Sequence, residues 1–317
     1  MDASVIELPL NLQHNITIRG KYCITDMVLN QKGYDRFSLF HYVSLICGEK
    51  DDDIEYLDYD ARGSFFEDEG VFSVEVCNFP AVKKPFCSVD IVAYLFELIR
   101  HEKYIMLFFD DYYNSASPYF RVKHAECEYL LYGCRKDDAQ FLAYGSLGEE
   151  PICSKTAIMY DDIRKMFAES EFTFYIIEKR DYSSPELTTE LLMSTVKKYL
   201  CSVYDEKADI QSGIEATKMA ARALPILSER KKITFLYRIV EFERMFALRL
   251  TALSDHGVLP AALVHTHSSL LDEYAALVRQ WQAKDGGGDL DAVLVSLDHL
   301  ISFEESELKK AVTAVTS

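Results

Sequence analysis

The chain has 317 residues, too many for one small compact domain, so two domains are the default expectation. Hydrophobic residues make up 49% and charged residues 27%, the proportions of an ordinary soluble globular protein. A net charge of −17, from 51 acidic and 34 basic side chains, repels phosphate backbones and anionic lipid, so nucleic acid and membrane surfaces are not expected partners.

The opening MDASVIELPLNLQHN lacks the basic start and long apolar stretch of a signal peptide. The sequence also holds no apolar run of about 18 residues, the length that spans a bilayer. A cytoplasmic protein is expected. CITDMVLNQKGY then reads as a short helix, with Cys23 near its start and Gly33 as its stop. In YDRFSLFHYVSLIC, Phe37, Phe40, Tyr42, Val43 and Ile46 fall at helical spacing, although a strand fits the same run. Residues 49–60 carry seven acids and one lysine and read as a solvated loop rather than a cation site.

GVFSVEVCNF alternates and reads as a strand. SVDIVAYLFELIRHEK has Ser88 as an N-cap and a helical stripe of Ile91, Tyr94, Leu95 and Leu98. YIMLFFD is a buried strand ending in the pair Asp110–Asp111, followed by Tyr112 and Tyr113. ECEYLLYG and AQFLAYG are two further strands joined by the turn CRKDD. YDDIRKMFAES is helical, and EFTFYIIEK is a last strand.

After about residue 182 the texture changes. SSPELTTELLMSTVKKYL opens with the signals of a helix start: serine as cap, proline in the first turn, acids near the positive end. Three long amphipathic patterns follow, the first ending at Gly257 and the second at a run of three glycines. Short connections between them favour antiparallel neighbours.

Eight cysteines, at 23, 47, 77, 87, 127, 134, 153 and 201, include no C-x-x-C pair and no Cys/His spacing of a zinc site. Cys127 and Cys134 are seven positions apart, which on one strand puts them on opposite faces. His265 and His267, two apart in a helical pattern, point about 200° apart and do not share an ion. No metal and no cofactor is therefore assigned. The stretch SERKK, with Arg238, Arg244 and Arg249 beyond it, is the one basic run of the C-terminal region. It reads as a solvated helix face.

One stretch is unusually rich in reactive groups: HAECEYLLYGCRKDDAQFLAYG, residues 124–145. Together with the helix starting near Cys23, the D-x-Y-Y run and the helix YDDIRKMF, it resembles papain-like proteins of natural-product gene clusters. The nearest such group is the butirosin biosynthesis protein H family, including relatives found beside nonribosomal peptide synthetases. The resemblance covers most of the chain. It implies a papain-like fold with a helical C-terminal region. It also implies acyl transfer, in which a cysteine at a helix N-terminus takes an acyl group from a carrier thioester and passes it to an amine. A helix dipole and a nearby imidazolium favour the thiolate that such chemistry needs.

Carried over residue by residue, Cys23 matches the nucleophile. The histidine is expected six residues before Gly133, and that position is Cys127. A thiol with an ordinary pKa of about 8.5 is a poor base near neutrality and has no second nitrogen for an orienting partner. His124 lies three residues upstream and substitutes only if a bulge or loop brings it round.

The expected architecture is thus α+β: a papain-like domain over 1–182, then an all-α helical bundle over 183–317. The catalytic candidates are Cys23, His124 and Cys127, and the substrate-binding candidates are Asp110, Asp111, Tyr113 and Glu128. Three functions stay open: a cysteine-dependent acyltransferase of antibiotic-type secondary metabolism, a catalytically degenerate papain-like module that binds a synthetase, carrier or peptide intermediate, and a peptidase or thioester hydrolase. The partners implied are an acyl or peptidyl carrier protein or a nonribosomal peptide synthetase, a small-molecule or peptide substrate, and a second copy of the chain in a homodimer.

Overall fold

The computed structural model describes residues 4–10, 42–50, 53–61, 72–79, 90–147, 153–179, 188–205, 210–283 and 288–316. Cys23 and the helix start at 183–186 lie outside them. In chain order come strands β1 (Val5–Glu7), β2 (Tyr42–Lys50), β3 (Asp53–Ala61) and β4 (Phe72–Phe79). Helix α1 (Ile91–Arg100) is followed by β5 (Tyr104–Asp110), β6 (Glu126–Arg135), β7 (Gln140–Gly145), β8 (Ser154–Met159), α2 (Tyr160–Glu169) and β9 (Phe172–Lys179). The remainder is α3 (Thr189–Cys201), β10 (Tyr204–Asp205), β11 (Ile210–Ser212), α4 (Ile214–Ala223), α5 (Glu229–Asp255), α6 (Ala261–Gln282), α7 (Leu290–Phe303), a π-helical turn (Glu304–Leu308) and α8 (Lys309–Thr316).

These elements form two compact units, residues 1–35 with 64–183, and residues 36–63 with 184–317. In the first unit an antiparallel sheet runs in the order β4-β9-β5-β6-β7-β8. β1 pairs with the far half of β6, Ile6 opposite Cys134, while β5 takes the near half, Phe109 opposite Cys127. The strand YIMLFFD sits at the centre because it is apolar on both faces: Tyr104, Ile105, Met106 and Leu107 are all buried. Each such side chain contributes about 1.5–3 kcal/mol on burial. On one face, Phe172 and Phe174 of β9 pack with Phe79 and with Phe167 of α2 as an edge-to-face aromatic cluster. Helix α1 is capped by Asp90, whose carboxylate accepts from the amides of Val92 and Ala93, rather than by the expected Ser88.

In the second unit α5 packs on α6 and α6 on α7, beside a four-stranded antiparallel sheet ordered β10-β11-β2-β3. Two expectations are corrected here. The run containing Tyr42, Val43 and Ile46 is a strand, not a helix, and residues 53–61 of the acidic stretch are its hairpin partner rather than a loop. Leu45 and Cys47 are fully buried at a spacing of two, with Leu57 buried opposite Cys47. A short apolar run satisfies both periods, and pairing with β11, some 160 residues away, decides between them. The C-terminal region is correspondingly not all helical, since β10 and β11 complete this sheet.

Gly133 marks a close approach of two strands. A Cβ there would come within 2.4 Å of the Ile6 carbonyl oxygen, a backbone atom that cannot swing aside. Gly133→Ala is expected to displace β1 from β6 and to lower stability by about 1–3 kcal/mol, read as a drop in the urea midpoint at unchanged slope.

Candidate functional site

β5 ends at Asp110 and Asp111 follows directly, its amide still paired to the Ala125 carbonyl, so the two side chains go to opposite faces. Asp110 shares its face with Phe108, and across the ladder with Glu126 and Glu128. Asp111 lies on the other side, with Phe109, Cys127 and Tyr129. The two carboxylates therefore do different things.

Asp111 is fully buried and accepts hydrogen bonds from the Tyr129 hydroxyl (2.6 Å), the Ser117 hydroxyl (2.8 Å) and the Asn114 amide (3.3 Å). Burial, then the Asp111 charge, raises the Tyr129 phenol far above its ordinary range, so it stays a proton donor. From α2, buried Asp162 accepts from the Ser115 amide and hydroxyl. These bonds fix the loop 111–125 that joins β5 to β6.

What that loop presents is His124. It precedes β6 and is not on it, so the strand geometry that would have turned it away does not apply. Its Nδ1 lies 2.6 Å from Asp110 Oδ2. The other carboxylate oxygen, Oδ1, accepts from the amides of Tyr112 and Ala125, both at 3.0 Å. Burial opposes ionisation of Asp110, but the bonds from His124 and the two amides outweigh it and hold the carboxyl below its usual range. The imidazole stacks on Tyr112, centroids 4.2 Å apart, and meets the edge of Tyr113 at 6.2 Å. The His124 side chain is 67% exposed and Asp110 only 18%, so the acid is anchored and the imidazole offered to solvent. With Nδ1–H donating to the carboxylate, Nε2 carries the lone pair of a general base.

Beside this dyad, a cavity of about 300 Å³ is lined by Phe108, Glu126, Met166, Glu171, Thr173 and Tyr175. Met166 links the two, since its sulfur receives the Asp110 amide at 3.4 Å. Two carboxylates in the lining suit a cationic or amine-bearing group.

Of the residues singled out from sequence, Asp110, Tyr113 and His124 are brought together, and Glu128 lies half-buried on the Asp110 face. Asp111 belongs to the buried network behind the loop. Cys127 is 1% exposed on the opposite face, so it does not stand in for the expected histidine. Cys23 lies outside the described residues.

The second unit holds a cluster that sequence reading missed. Glu243 on α5, His267 on α6 and Glu304 at the π-helical turn converge at full burial, with Tyr199 of α3 against them. Burial disfavours the imidazolium, but the adjoining carboxylates of Glu243 and Glu304 outweigh it and push His267 up to about 9. Burial, then the Glu243 charge, pushes Glu304 well above the ordinary carboxylate range. The H-x-H pattern had drawn attention to a pair, whereas only His267 points inward and His265 is exposed.

No protein-family profile matches the chain, and no curated protein matches it. Among the described residues no helix is long and apolar enough to cross a membrane.

Two outcomes are expected at this site. Tyr129→Phe removes a donor from a buried carboxylate and should cost about 1.5–3 kcal/mol in chemical denaturation. A depressed carboxyl contributes to stability above the ordinary carboxylate range and loses that contribution as pH falls through its folded value. Acidification should therefore release His124 from Asp110, seen by NMR as a change in the imidazole resonances that Asp110→Asn abolishes.

Proposed function

We propose that this protein is a cysteine-dependent acyltransferase that takes an acyl group from a carrier-bound thioester and delivers it to an amine, in natural-product biosynthesis. The observation that carries the reading is the His124–Asp110 pair at 2.6 Å, an imidazole oriented by an anchored carboxylate and left open at Nε2. The resemblance of the sequence to the butirosin biosynthesis protein H family supplies the nucleophile, Cys23, and the papain-like assignment of the first unit. His124 acts as the base that takes the Cys23 proton and returns it to the departing carrier thiol. It then takes a proton from the attacking amine and gives it to Cys23 as the acyl group leaves, while Asp110 fixes its tautomer and steadies the imidazolium. The acidic cavity beside the dyad supports an amine-bearing acceptor.

The rival reading is a papain-like module that binds a synthetase, carrier or peptide intermediate without turnover. It is favoured by Cys127, which stands where the resemblance places histidine.

One experiment separates them. The full chain is incubated with an acyl-pantetheine thioester and a panel of amines, alongside Cys23→Ser, His124→Ala and Asp110→Asn. On the enzyme reading Cys23→Ser abolishes transfer, His124→Ala lowers the rate by about 10²–10⁴-fold, and Asp110→Asn falls between. The thermal midpoint should barely move in His124→Ala, because that side chain is exposed. Iodoacetamide should label Cys23 faster than the exposed Cys201, which serves as the internal reference. Full activity in His124→Ala, or equal labelling of the two thiols, would sink the enzyme reading.

A further inference from the structure

We propose that Glu243, His267 and Glu304 form a closed binding site for one divalent first-row transition-metal ion, which ties together the helices of the second unit. Four observations carry this, all independent of the chemistry assigned to the first unit.

The first is convergence. His267 Nε2 lies 2.9 Å from Glu304 Oε1 and 3.5 Å from Glu243 Oε2, and the three ligand atoms fall within 4.8 Å of one another. Metal–ligand bonds of about 2.0–2.2 Å at angles between square and tetrahedral place neighbouring ligand atoms about 2.8–3.6 Å apart. Both separations from the imidazole fall inside that range.

The second is orientation. The Tyr199 hydroxyl lies 2.8 Å from Glu243 Oε1 and 3.1 Å from Glu304 Oε2, and Thr217 Oγ1 is 3.3 Å away. The phenol lies between the outer oxygens of both carboxylates and donates its single proton to one of them, the shorter contact being to Glu243, while the inner oxygens stand toward the imidazole. Hydrogen bonds of this kind to the outer atoms of ligating groups are how proteins aim metal ligands.

The third is an unsatisfied acceptor. Glu243 Oε2 is buried, on a residue only 1% exposed, and among the described residues it receives no hydrogen bond, the His267 imidazole standing off at 3.5 Å. An anionic oxygen left this way is costly, and a cation at the centre of the cluster would satisfy it together with both other ligands. The fourth is the backbone. Glu304 heads a π-helical turn inside an otherwise continuous helix from Leu290 to Thr316. Such turns insert a residue at the expense of regular hydrogen bonding and gather at functional positions.

The donor set is one imidazole and two carboxylates, a combination of borderline and hard ligands that suits Zn2+, Mn2+ or Fe2+ rather than a thiophilic ion. All three side chains are at most 1% exposed, so the site is enclosed by protein, with α5, α6 and the π-helical turn each supplying one ligand and a fourth position left for a small ligand such as water.

The test uses tag-free full-length chain, stripped with chelator and titrated separately with Zn2+ and Mn2+. One ion should raise the melting temperature by several degrees and remain with the protein at one equivalent after gel filtration. Glu243→Gln, which keeps the side-chain shape, should retain the helical circular dichroism and lose the bound equivalent. No retained metal and no thermal shift with either ion would overturn the proposal, as would equal retention in Glu243→Gln, because the metal would then sit elsewhere. Should Glu243→Gln fail to fold, Co2+ loaded into the native chain decides. Weak visible d–d bands without thiolate charge transfer support the site. Strong thiolate charge transfer, which the eight cysteines make a real alternative, or the absence of any bands, defeats it.

Discussion

The antiparallel pairing of β5 with β6 governs the candidate site, because it decides where two consecutive aspartates point. A strand sends adjacent side chains to opposite faces. Asp110 thereby meets the open end of the sheet and Asp111 its closed interior. Asp111 is spent on structure: three donors hold it, and through them the loop is shaped. Asp110 is spent on an imidazole. Neither role survives a one-residue register slip, since that would exchange the two faces along the whole strand. The ladder from Ile105–Leu131 to Asp110–Glu126 is therefore the constraint on which the dyad geometry rests.

The same alternation explains how Cys127 and His124 part company. On sequence, the cysteine at the expected histidine position looked like the loss of a base. In the structure β6 begins at Glu126, so Cys127 obeys the strand and turns inward opposite Phe109, while His124 sits in the preceding loop and obeys Asp110 instead. A histidine displaced by three residues still finds an orienting acid, because that acid lies across the ladder rather than along the chain. That partnership spans 14 positions and has no local signature, which is why motif spacing did not show it.

Legibility followed the range of the deciding interaction. Strand YIMLFFD, the alternation of FSVEVCNF and the helix at Tyr160–Glu169 are fixed by local period and were readable. The hairpin β2–β3 was not, because its apolar positions fit a helix as well as a strand and its sheet is completed by residues 204–212. The Glu243–His267–Glu304 cluster was least legible of all. Each residue lies alone on its own helix, and an isolated Glu in an amphipathic pattern is ordinarily a solvated one. Only the packing of α5, α6 and the π-helical turn reveals that these face inward.

The two units handle ionisable groups by opposite means, and the difference follows from dielectric. At the dyad the imidazole stays in water while the half-buried acid behind it holds its orientation. In the second unit two carboxylates and an imidazole are withdrawn from water altogether, where an uncompensated charge is far more expensive than any single contact is worth. Such a cluster persists only if something keeps it neutral or nearly so. A proton on Glu304 does this by converting a ligand into a donor. A divalent cation does it while leaving both carboxylates ionised, and it also supplies a partner to Glu243 Oε2, which His267 Nε2 approaches only to 3.5 Å. The exposed dyad leaves its imidazole open to solvent, whereas the enclosed cluster must have its charge balanced from within.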